Sequence, residues 1–399
     1  MSSQIEPTRK PASSPETPGT PDTPENTETA QATEWAMRAN QAARSVTRSF
    51  GRRLLFLPGT HIGAVSLPGN TVKSLSGPWH YWWQAHYVDC LVDAGRRELA
   101  GKTRFDGDSR PSAGRLGSRL VTTIRLRNLF RFVNDYYDDM AWLALATLRL
   151  ENLAEASQKR GRRRNAYIRK HLTLQFDSAS TDDFGGGTFW STTRDFKNTP
   201  ATAPAALYYA RTGHTGRAQQ LVDWLNSKLL HPERGVYQDG VRMSQGQLVV
   251  DQAIYTYNQG PVLGALLELG GDDNLRRAAQ LVDAVKRELT ISGTGVIRGD
   301  GTGDGGLFTG ILLRYLALAA LDARLPAATR ETAKSLVYST AEALWAGRRE
   351  NPNQAKGAPA IVFSFDPQRP ASETYPAGTA VELSTQLQAW MALEAAATL

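Results

Sequence analysis

The chain has 399 residues, 41% hydrophobic and 21% charged, which is enough to bury a sizeable core in one large domain or two ordinary ones. This composition excludes a wholly disordered chain, and Cys90, the only cysteine, excludes an internal disulfide, a cysteine zinc site and an iron–sulfur cluster. The formal net charge is +7, although residues 1–30 hold five acidic and only two basic side chains, so the remainder is distinctly basic. Such an excess of positive charge favours binding to anionic partners but does not identify a particular one.

Residues 1–30 differ in composition from everything that follows. Six prolines stand there among Ser, Thr and Glu with almost no apolar side chain to bury, which predicts a disordered tail followed by a single domain at residues 31–399. The sequence as written shows neither a signal peptide nor a run of about 20 apolar residues that would span a membrane. We therefore expect a cytoplasmic protein, with non-classical export left open.

From residue 31 onward the hydrophobic periodicity is helical almost everywhere. Strongly apolar stretches alternate with more polar, amphipathic ones, and the apolar ones begin near Trp79, Asp138, Pro200, Asp251, Leu307 and Tyr375. The segment Gln-Leu-Val-Asp occurs at 220–223 and again at 280–283, which supports a repeat of one helical hairpin. Six hairpins, with apolar helices inside and amphipathic helices outside, predict an all-α (α/α)6 toroid. An open superhelical solenoid would show the same local pattern.

If the inner helices are parallel, the loops that lead into them lie at one end of the toroid. These loops are rich in glycine, aromatic residues and carboxylates, and they span residues 77–83, 134–139, 184–190, 255–260, 299–308 and 372–376. We therefore expect a cleft at this end.

Asp138 and Asp139 are adjacent at the point where a polar loop becomes an apolar helix. Both carboxyl groups can face the opening when they lie in the first turn of a helix. Glycosidases use such a pair, one as nucleophile and one as acid, and mutual repulsion separates their proton affinities. The alternative is an N-cap followed by a first-turn acid, which is common at helix starts.

Aromatic side chains are numerous around these loops. They suit the packing of rings against the C–H faces of sugars, although many rings of this size belong to ordinary cores. The set is Trp79, Tyr81, Trp82, Trp83, Tyr87, Tyr136, Tyr137, Trp142, Trp190 and Tyr257. The segment 300–305 imitates the opening of a calcium loop, but Ile311 stands where that motif requires Glu, so we expect no calcium site.

Together these residues resemble glycoside hydrolase family 76, the endo-acting α-1,6-mannanases and related fungal wall transglycosylases. The resemblance runs from about Trp79 to the C-terminus, and its most specific part is Tyr-Tyr-Asp-Asp-Met-Ala-Trp at 136–142. Shorter matching pieces are Gly186-Gly187 with Trp190, Lys197-Asn198, and residues 211–213, 257–260, 308–311 and 314–316. One departure is Thr309, where the pattern usually has lysine.

The resemblance implies an (α/α)6 fold and retention of configuration, with Asp138 as nucleophile and Asp139 as general acid and then base. It also implies a set of substrate-binding residues, namely Trp83, Asp89, Tyr137, Trp190, Asn198, Tyr257, Asn258 and Gln259. No metal or organic cofactor is implied.

The resulting hypothesis is a retaining endo-α-1,6-mannosidase that hydrolyses a mannan backbone through a covalent glycosyl-aspartate. Its expected partner is an α-mannan polysaccharide or oligosaccharide, and the basic body also fits an anionic lipid-linked glycan or a membrane surface. Nucleic acid is not expected, because the basic residues are scattered without a recognised motif. The alternatives are a mannan transglycosylase and a non-catalytic mannan-binding protein on the same fold.

Overall fold

The computed structural model describes residues 24–69, 77–158, 162–351 and 359–399, with the side chains of 24–29 and 162–164 left out of the description. Within these ranges most of the chain is helical. The inner helices are α2 (Tyr81–Gly101), α4 (Tyr137–Ala156), α6 (Thr199–Arg211), α8 (Thr256–Leu269), α10 (Gly305–Leu321) and α13 (Leu383–Ala396). The outer helices are α1 (Pro24–Ser49), α3 (Ala113–Arg127), α5 (Arg162–Ala179), α7 (Thr215–Lys228), α9 (Gly271–Glu288) and α11 (Ala327–Ala346), and α12 (Ala371–Thr374) is a single turn.

The inner helices form a closed ring. Each packs against the next, and α13 returns to pack against α2, so the fold is the predicted (α/α)6 toroid and not an open solenoid. The first helix, α1, packs on the last, α13. Arg97 of α2 donates hydrogen bonds to both carboxylate oxygens of Glu394 in α13, at 2.6 Å each, which ties the two ends of the ring together.

The inner ring is dense because its helices are mostly apolar and buried on nearly all sides. Nearly every residue of α13 is buried, as is most of α10. Small residues allow close approach, as at Gly310, where an added Cβ would lie 2.7 Å from the backbone oxygen of Gln388. The core therefore lies between the two rings and within the inner one.

Short antiparallel strands join the helices. They are β1 (Gly51–Arg52) with β2 (Ile62–Gly63), β3 (Ser66–Leu67) with β9 (Val381–Glu382), β7 (Arg349–Glu350) with β8 (Ile361–Val362), and a sheet of β4 (Phe196–Asn198), β5 (Gly240–Ser244) and β6 (Gln247–Asp251).

Two expected helix starts were wrong. Asp251 ends the β5–β6 hairpin, and the helix begins at Thr256, while Tyr375 follows α12 and the last inner helix begins only at Leu383. The predicted tail boundary at residue 30 also lies inside α1, which begins at Pro24; residues 1–23 lie outside the described residues. Among the described helices, none combines the length and apolar character that crossing a bilayer requires.

Candidate active site

The loops that enter the inner helices meet at one mouth of the toroid, as the sequence predicts. Trp82 of α2 donates its indole N–H to Asp304, which directly precedes α10, with a distance of 2.9 Å between Nε1 and Oδ1. Tyr257 of α8 stacks on Phe308 of α10, with ring centroids 3.8 Å apart. The N-termini of helices far apart in the chain therefore share one opening.

Asp138 lies in the first turn of α4, and both of its carboxylate oxygens accept hydrogen bonds. Oδ1 accepts from the backbone N–H of Asp139 at 2.8 Å, and Oδ2 accepts from the indole Nε1 of Trp190 at 3.0 Å. Two donors on a half-buried carboxyl group orient it and favour its ionised form.

Asp139 is held by a different partner, Asn134, in the loop before α4. The side-chain Nδ2 of Asn134 donates to Oδ2 of Asp139, while its Oδ1 accepts from the backbone N–H of Tyr136 at 3.1 Å. The second contact fixes the orientation of the amide, so that its N–H group faces the carboxyl group of Asp139.

The two carboxyl groups have raised proton affinities. Burial raises the pKa of Asp138 to about 7, against the opposing effect of its two hydrogen bonds. Burial, and then the negative charge of Asp138, hold the pKa of Asp139 well above its usual range. Because Asp138 accepts two hydrogen bonds and Asp139 one, Asp138 is the more readily ionised of the pair, and Asp139 retains its proton to higher pH.

A third carboxylate, Asp304, faces the same opening. Burial alone would raise its pKa, but the nearby imidazole of His80, 3.8 Å away, and the hydrogen bonds from Trp83 and Trp82 lower it below the usual range. Its negative charge contributes to the raised pKa values of both Asp138 and Asp139. An ionised Asp304 therefore accompanies the pair near neutral pH.

The segment that imitates a calcium loop uses its carboxylates for protein contacts. Asp300 accepts hydrogen bonds from the backbone N–H and hydroxyl of Thr256, and Asp304 accepts from the two tryptophans. Within the part of the chain that the structure describes, no three His, Cys, Asp or Glu side chains are grouped to hold a metal ion.

The loop that carries Trp190 is anchored by Lys197. This lysine is fully buried, and its Nζ donates to the carbonyl oxygens of Thr181, Asp183 and Gly186 at 2.7–2.9 Å, with burial lowering its pKa to about 8. The glycines of this loop allow close approach, because a Cβ on Gly187 would lie 2.6 Å from the ring of Trp224.

The family model of glycosyl hydrolase family 76 matches residues 60–360. The chain belongs to this family. Membership supports a glycoside hydrolase. A comparison with curated proteins finds no match.

Solved structures share the toroid of this family 76 chain. The GH76A α-1,6-mannanase of Salegentibacter sp. HEL1_6 is similar with a TM-score of 0.74 and 28% identity, over 91% of this chain and 99% of that one. A protein of Listeria innocua gives a TM-score of 0.71 and 25% identity, over 91% and 97%. Dfg5 of Chaetomium thermophilum, with a TM-score of 0.61, 15% identity and coverage of 92% and 90%, shows likeness of fold alone.

Several residues predicted to bind substrate lie at the mouth of this family 76 protein. Trp190 is exposed beside Asp138, and the ring of Tyr257 stacks on that of Phe308 at the mouth. Asn258 is buried just below the mouth and donates to Asp239 at 3.3 Å. Trp83 is also buried; its Nε1 donates to Asp304 at 2.7 Å, and its ring stacks on that of His80.

Asp89 and Gln259 do not line the mouth, contrary to the sequence prediction. Asp89 is buried in the interior of the ring, where Arg149 at 2.6 Å and Arg314 at 3.5 Å neutralise it. Gln259 is fully buried, and its amide exchanges hydrogen bonds with the backbone of Tyr237 at 2.8 and 2.9 Å. Both side chains are therefore engaged in ion pairs or hydrogen bonds within the protein.

Tyr137 and Asn198 also have structural contacts where substrate contacts were predicted. The side chain of Tyr137 is buried in the core. Its neighbour Tyr136 is exposed and packs on Trp190, with ring centroids 5.1 Å apart. Asn198 is buried and caps α6, because its side-chain oxygen accepts the backbone N–H of Ala201 at 3.1 Å.

Five residues at the mouth were not predicted as site residues, although four of them lie in the loops expected at the cleft: His80, Asn134, Asp304, Phe308 and, outside those loops, Asp239. The available signal for those four was their position in a loop directly before an inner helix or in its first turn, whereas Asp239 directly precedes β5. Burial raises the pKa of Asp239 to about 6, which marks it as a further carboxyl group of the site.

Proposed function

We propose that this protein is a retaining endo-α-1,6-mannanase in which Asp138 is the nucleophile and Asp139 the general acid and base. The observation that carries the proposal is the unequal environment of two adjacent carboxyl groups at the mouth. Asp138 accepts two hydrogen bonds that favour its anion, whereas burial and the charge of Asp138 raise the pKa of Asp139, which therefore loses its proton later. A nucleophile needs the ionised form and a general acid needs the protonated form.

The reaction then follows in two displacements. An oxygen of Asp138 bonds to the anomeric carbon as the glycosidic C–O bond breaks, and Asp139 transfers its proton to the departing oxygen. In the second step Asp139 takes a proton from water, whose oxygen bonds to the anomeric carbon as the bond to Asp138 breaks. The negative charge of Asp304 favours the positive charge that develops on the sugar in both transition states.

The relatives support the choice of an α-1,6-mannan. Inactive variants of the Salegentibacter mannanase, in which two consecutive aspartates are replaced, were solved with α-1,6-mannotriose and with α-1,6-mannotetraose. Asp138 and Asp139 are consecutive as well. The aromatic side chains at the mouth offer flat faces on which successive mannose rings can pack, which suits an endo-acting enzyme.

Incubation with linear α-1,6-mannan tests the proposal. We expect wild type to release short oligosaccharides whose newly formed end is first seen by NMR as the α-anomer, and Asp138→Asn to lose at least about 10³-fold in rate. Asp135→Asn, an exposed carboxylate in the same loop, is the matched control and should keep wild-type activity.

Four results would contradict the proposal. Equal rates for wild type and Asp138→Asn would show that Asp138 is not the nucleophile. A β-anomer as the first product would show that the enzyme inverts the configuration. Mannan binding by wild type without release of new ends would favour the non-catalytic alternative. Products longer than the starting oligosaccharide would instead replace hydrolysis by transglycosylation.

A further inference from the structure

Two loops each present a leucine and a phenylalanine to solvent. Leu55 and Phe56 lie in the turn between β1 and β2 and are 60% and 89% exposed, and Leu129 and Phe130 follow α3 and are 83% and 69% exposed. All four have left-handed backbone conformations, with φ between 46° and 62°. Side chains other than glycine, asparagine and aspartate rarely adopt this conformation because it is strained, so these exposed apolar tips carry a cost in stability.

The two loops belong to one surface around the C-terminal end of α3. The backbone N–H of His61, at the base of the first loop, donates to the hydroxyl of Thr123 in α3 at 2.9 Å. Leu55, Phe56 and Arg127 line a common groove. On the other side of the helix end, Arg125 donates to the carbonyl oxygen of Phe130 at 3.1 Å. We call the surface formed by 52–57 and 125–131 the Leu-Phe face.

The Leu-Phe face and its border are strongly basic. No aspartate or glutamate occurs in residues 44–69 or 109–134, and the arginines around the face are Arg52, Arg53, Arg115, Arg119, Arg125, Arg127 and Arg131. Several lie close enough to repel one another: burial and then Arg127 lower the pKa of Arg52, and burial and then Arg115 and Arg53 lower that of Arg119. Such a cluster is complementary to a surface of negative charges.

We propose that the Leu-Phe face docks on the surface of an anionic phospholipid bilayer. The leucine and phenylalanine tips enter the boundary between head groups and acyl chains, and the arginines contact the lipid phosphates. A basic surface alone would fit any polyanion, but an exposed leucine pair gains nothing from a nucleic acid or an acidic glycan. A lipid interface accepts both the apolar tips and the positive charge. The inference does not depend on the proposed mannanase activity.

Docking of this face would bring the active-site mouth close to the membrane. Leu129 and Phe130 lie in the segment that leads to Asp138, and the hydroxyl of Tyr81, at the start of inner helix α2, donates to the carbonyl oxygen of Phe132 at 2.6 Å. A glycan chain anchored in the same bilayer would then lie within reach of the mouth, whereas a free mannan would gain nothing from docking.

Vesicle sedimentation tests the docking. The full-length protein is mixed with phosphatidylcholine vesicles that contain about 30% phosphatidylglycerol, or none, at low and at physiological salt. The test variant is Phe56→Asn/Leu129→Asn, because asparagine tolerates the left-handed backbone and should preserve the fold. The control is Tyr167→Gln/Leu174→Gln, an exposed aromatic and leucine on outer helix α5.

We expect wild type and the control to sediment with the anionic vesicles and not with the neutral ones. Their binding to the anionic vesicles should weaken at higher salt. The test variant should bind about tenfold more weakly while its circular dichroism and thermal midpoint match wild type. Failure of wild type to bind anionic vesicles, or equal binding by the test variant, would overturn the proposal. So would retention of wild type on heparin without binding to vesicles, which would indicate a polyanion site. No mannan is present, so the result is separate from that of the mannanase assay.

Discussion

Asp138 and Asp139 carry the same functional group on the same helical turn, and only their neighbours make them different. Trp190 comes from a loop about 50 residues further along the chain, and Asn134 from the loop immediately before. The hydrogen bond from Trp190 stabilises the anion of Asp138. Burial and the negative charge of Asp138 instead raise the pKa of Asp139. We therefore expect the proposed division of roles to depend on the hydrogen bonds that Asp138 accepts and on the burial and charge repulsion of Asp139.

Replacing Trp190 by phenylalanine tests this division through the pH dependence of kcat/KM. The indole hydrogen bond lowers the pKa of Asp138, so its loss raises that pKa, and a larger fraction of Asp138 is protonated and inactive at a given acidic pH. We expect the acid limb of the profile to move up by about one pH unit. The control is Tyr136→Phe, which keeps the ring that packs on Trp190. An acid limb that stays in place in Trp190→Phe would contradict the assignment.

At this scale the sequence reveals which residues begin inner helices but not where their side chains point. Asp138, Asp139, Trp190 and Tyr257, which occupy loops or first turns, do lie at the mouth, and their catalytic and binding roles stay predictions. The sequence cannot distinguish Tyr136 from Tyr137, since a rotation of about 100° decides which ring is buried. Asp89 was misassigned because its partners Arg149 and Arg314 belong to other helices and are distant in sequence.

The loop between α5 and β4 is the element that gives Trp190 its position. Its carbonyl groups converge on the buried ammonium of Lys197, and its glycines lie against the ring of Trp224 in α7. Gly186 and Gly187 both have positive φ, at 121° and 77°. The loop thus has a shape that larger residues would disturb, and Asp138 depends on it through the indole of Trp190.

Gly187→Ala tests the role of this loop. The added methyl group would meet the ring of Trp224 in a left-handed backbone conformation, so we expect a loss of about 2–4 kcal/mol in unfolding free energy and reduced kcat/KM. The matched control is Gly216→Ala in the helix that carries Trp224, where an added Cβ meets nothing within 4 Å. Denaturant unfolding of both variants measures the difference. A Gly187→Ala protein as stable and active as the control would show that the close approach is unimportant.

Helices were more predictable than the connections between them. The apolar stretches fall close to the inner helices because a helix surrounded by protein must be apolar nearly all round, a property of the local sequence. The β5–β6 hairpin escaped detection because Gln247–Asp251 is short and precedes another apolar stretch. Its pairing with β4, about 45 residues earlier, is not a local property.

At the scale of the whole molecule, a buried ion cluster crosses the interior of the ring. Arg149 of α4 and Arg314 of α10 both contact Asp89 and Asp93 of α2, in contacts that include Arg149 to Asp89 at 2.6 Å and Arg314 to Asp93 at 2.8 Å. Burial would raise the pKa of Asp93, but the two arginines lower it below its usual value. The cluster joins α10 to the neighbouring helices α2 and α4, from which it is separated around the ring by α13.

Arg149→Met tests the contribution of the cluster to stability. The variant leaves two buried carboxylates with a single cation, and we expect a loss of about 3–5 kcal/mol in unfolding free energy. The control is Arg276→Met, which removes an exposed ion pair with Asp273 and should cost less than about 1 kcal/mol. Denaturant unfolding at neutral pH compares them. Equal losses would mean that the buried cluster is no more important than a surface pair.

The identity of the sugar azide formed by two variants tests the central assignment most directly. An α-1,6-mannobioside with an activated leaving group, supplied with azide, needs no proton from Asp139. We expect Asp139→Ala to yield the α-mannobiosyl azide, because azide attacks the intermediate on Asp138, and Asp138→Ala to yield the β-azide by direct attack from the vacated side. The opposite pattern would exchange the two roles, and no azide product from either variant would contradict a covalent intermediate on this pair.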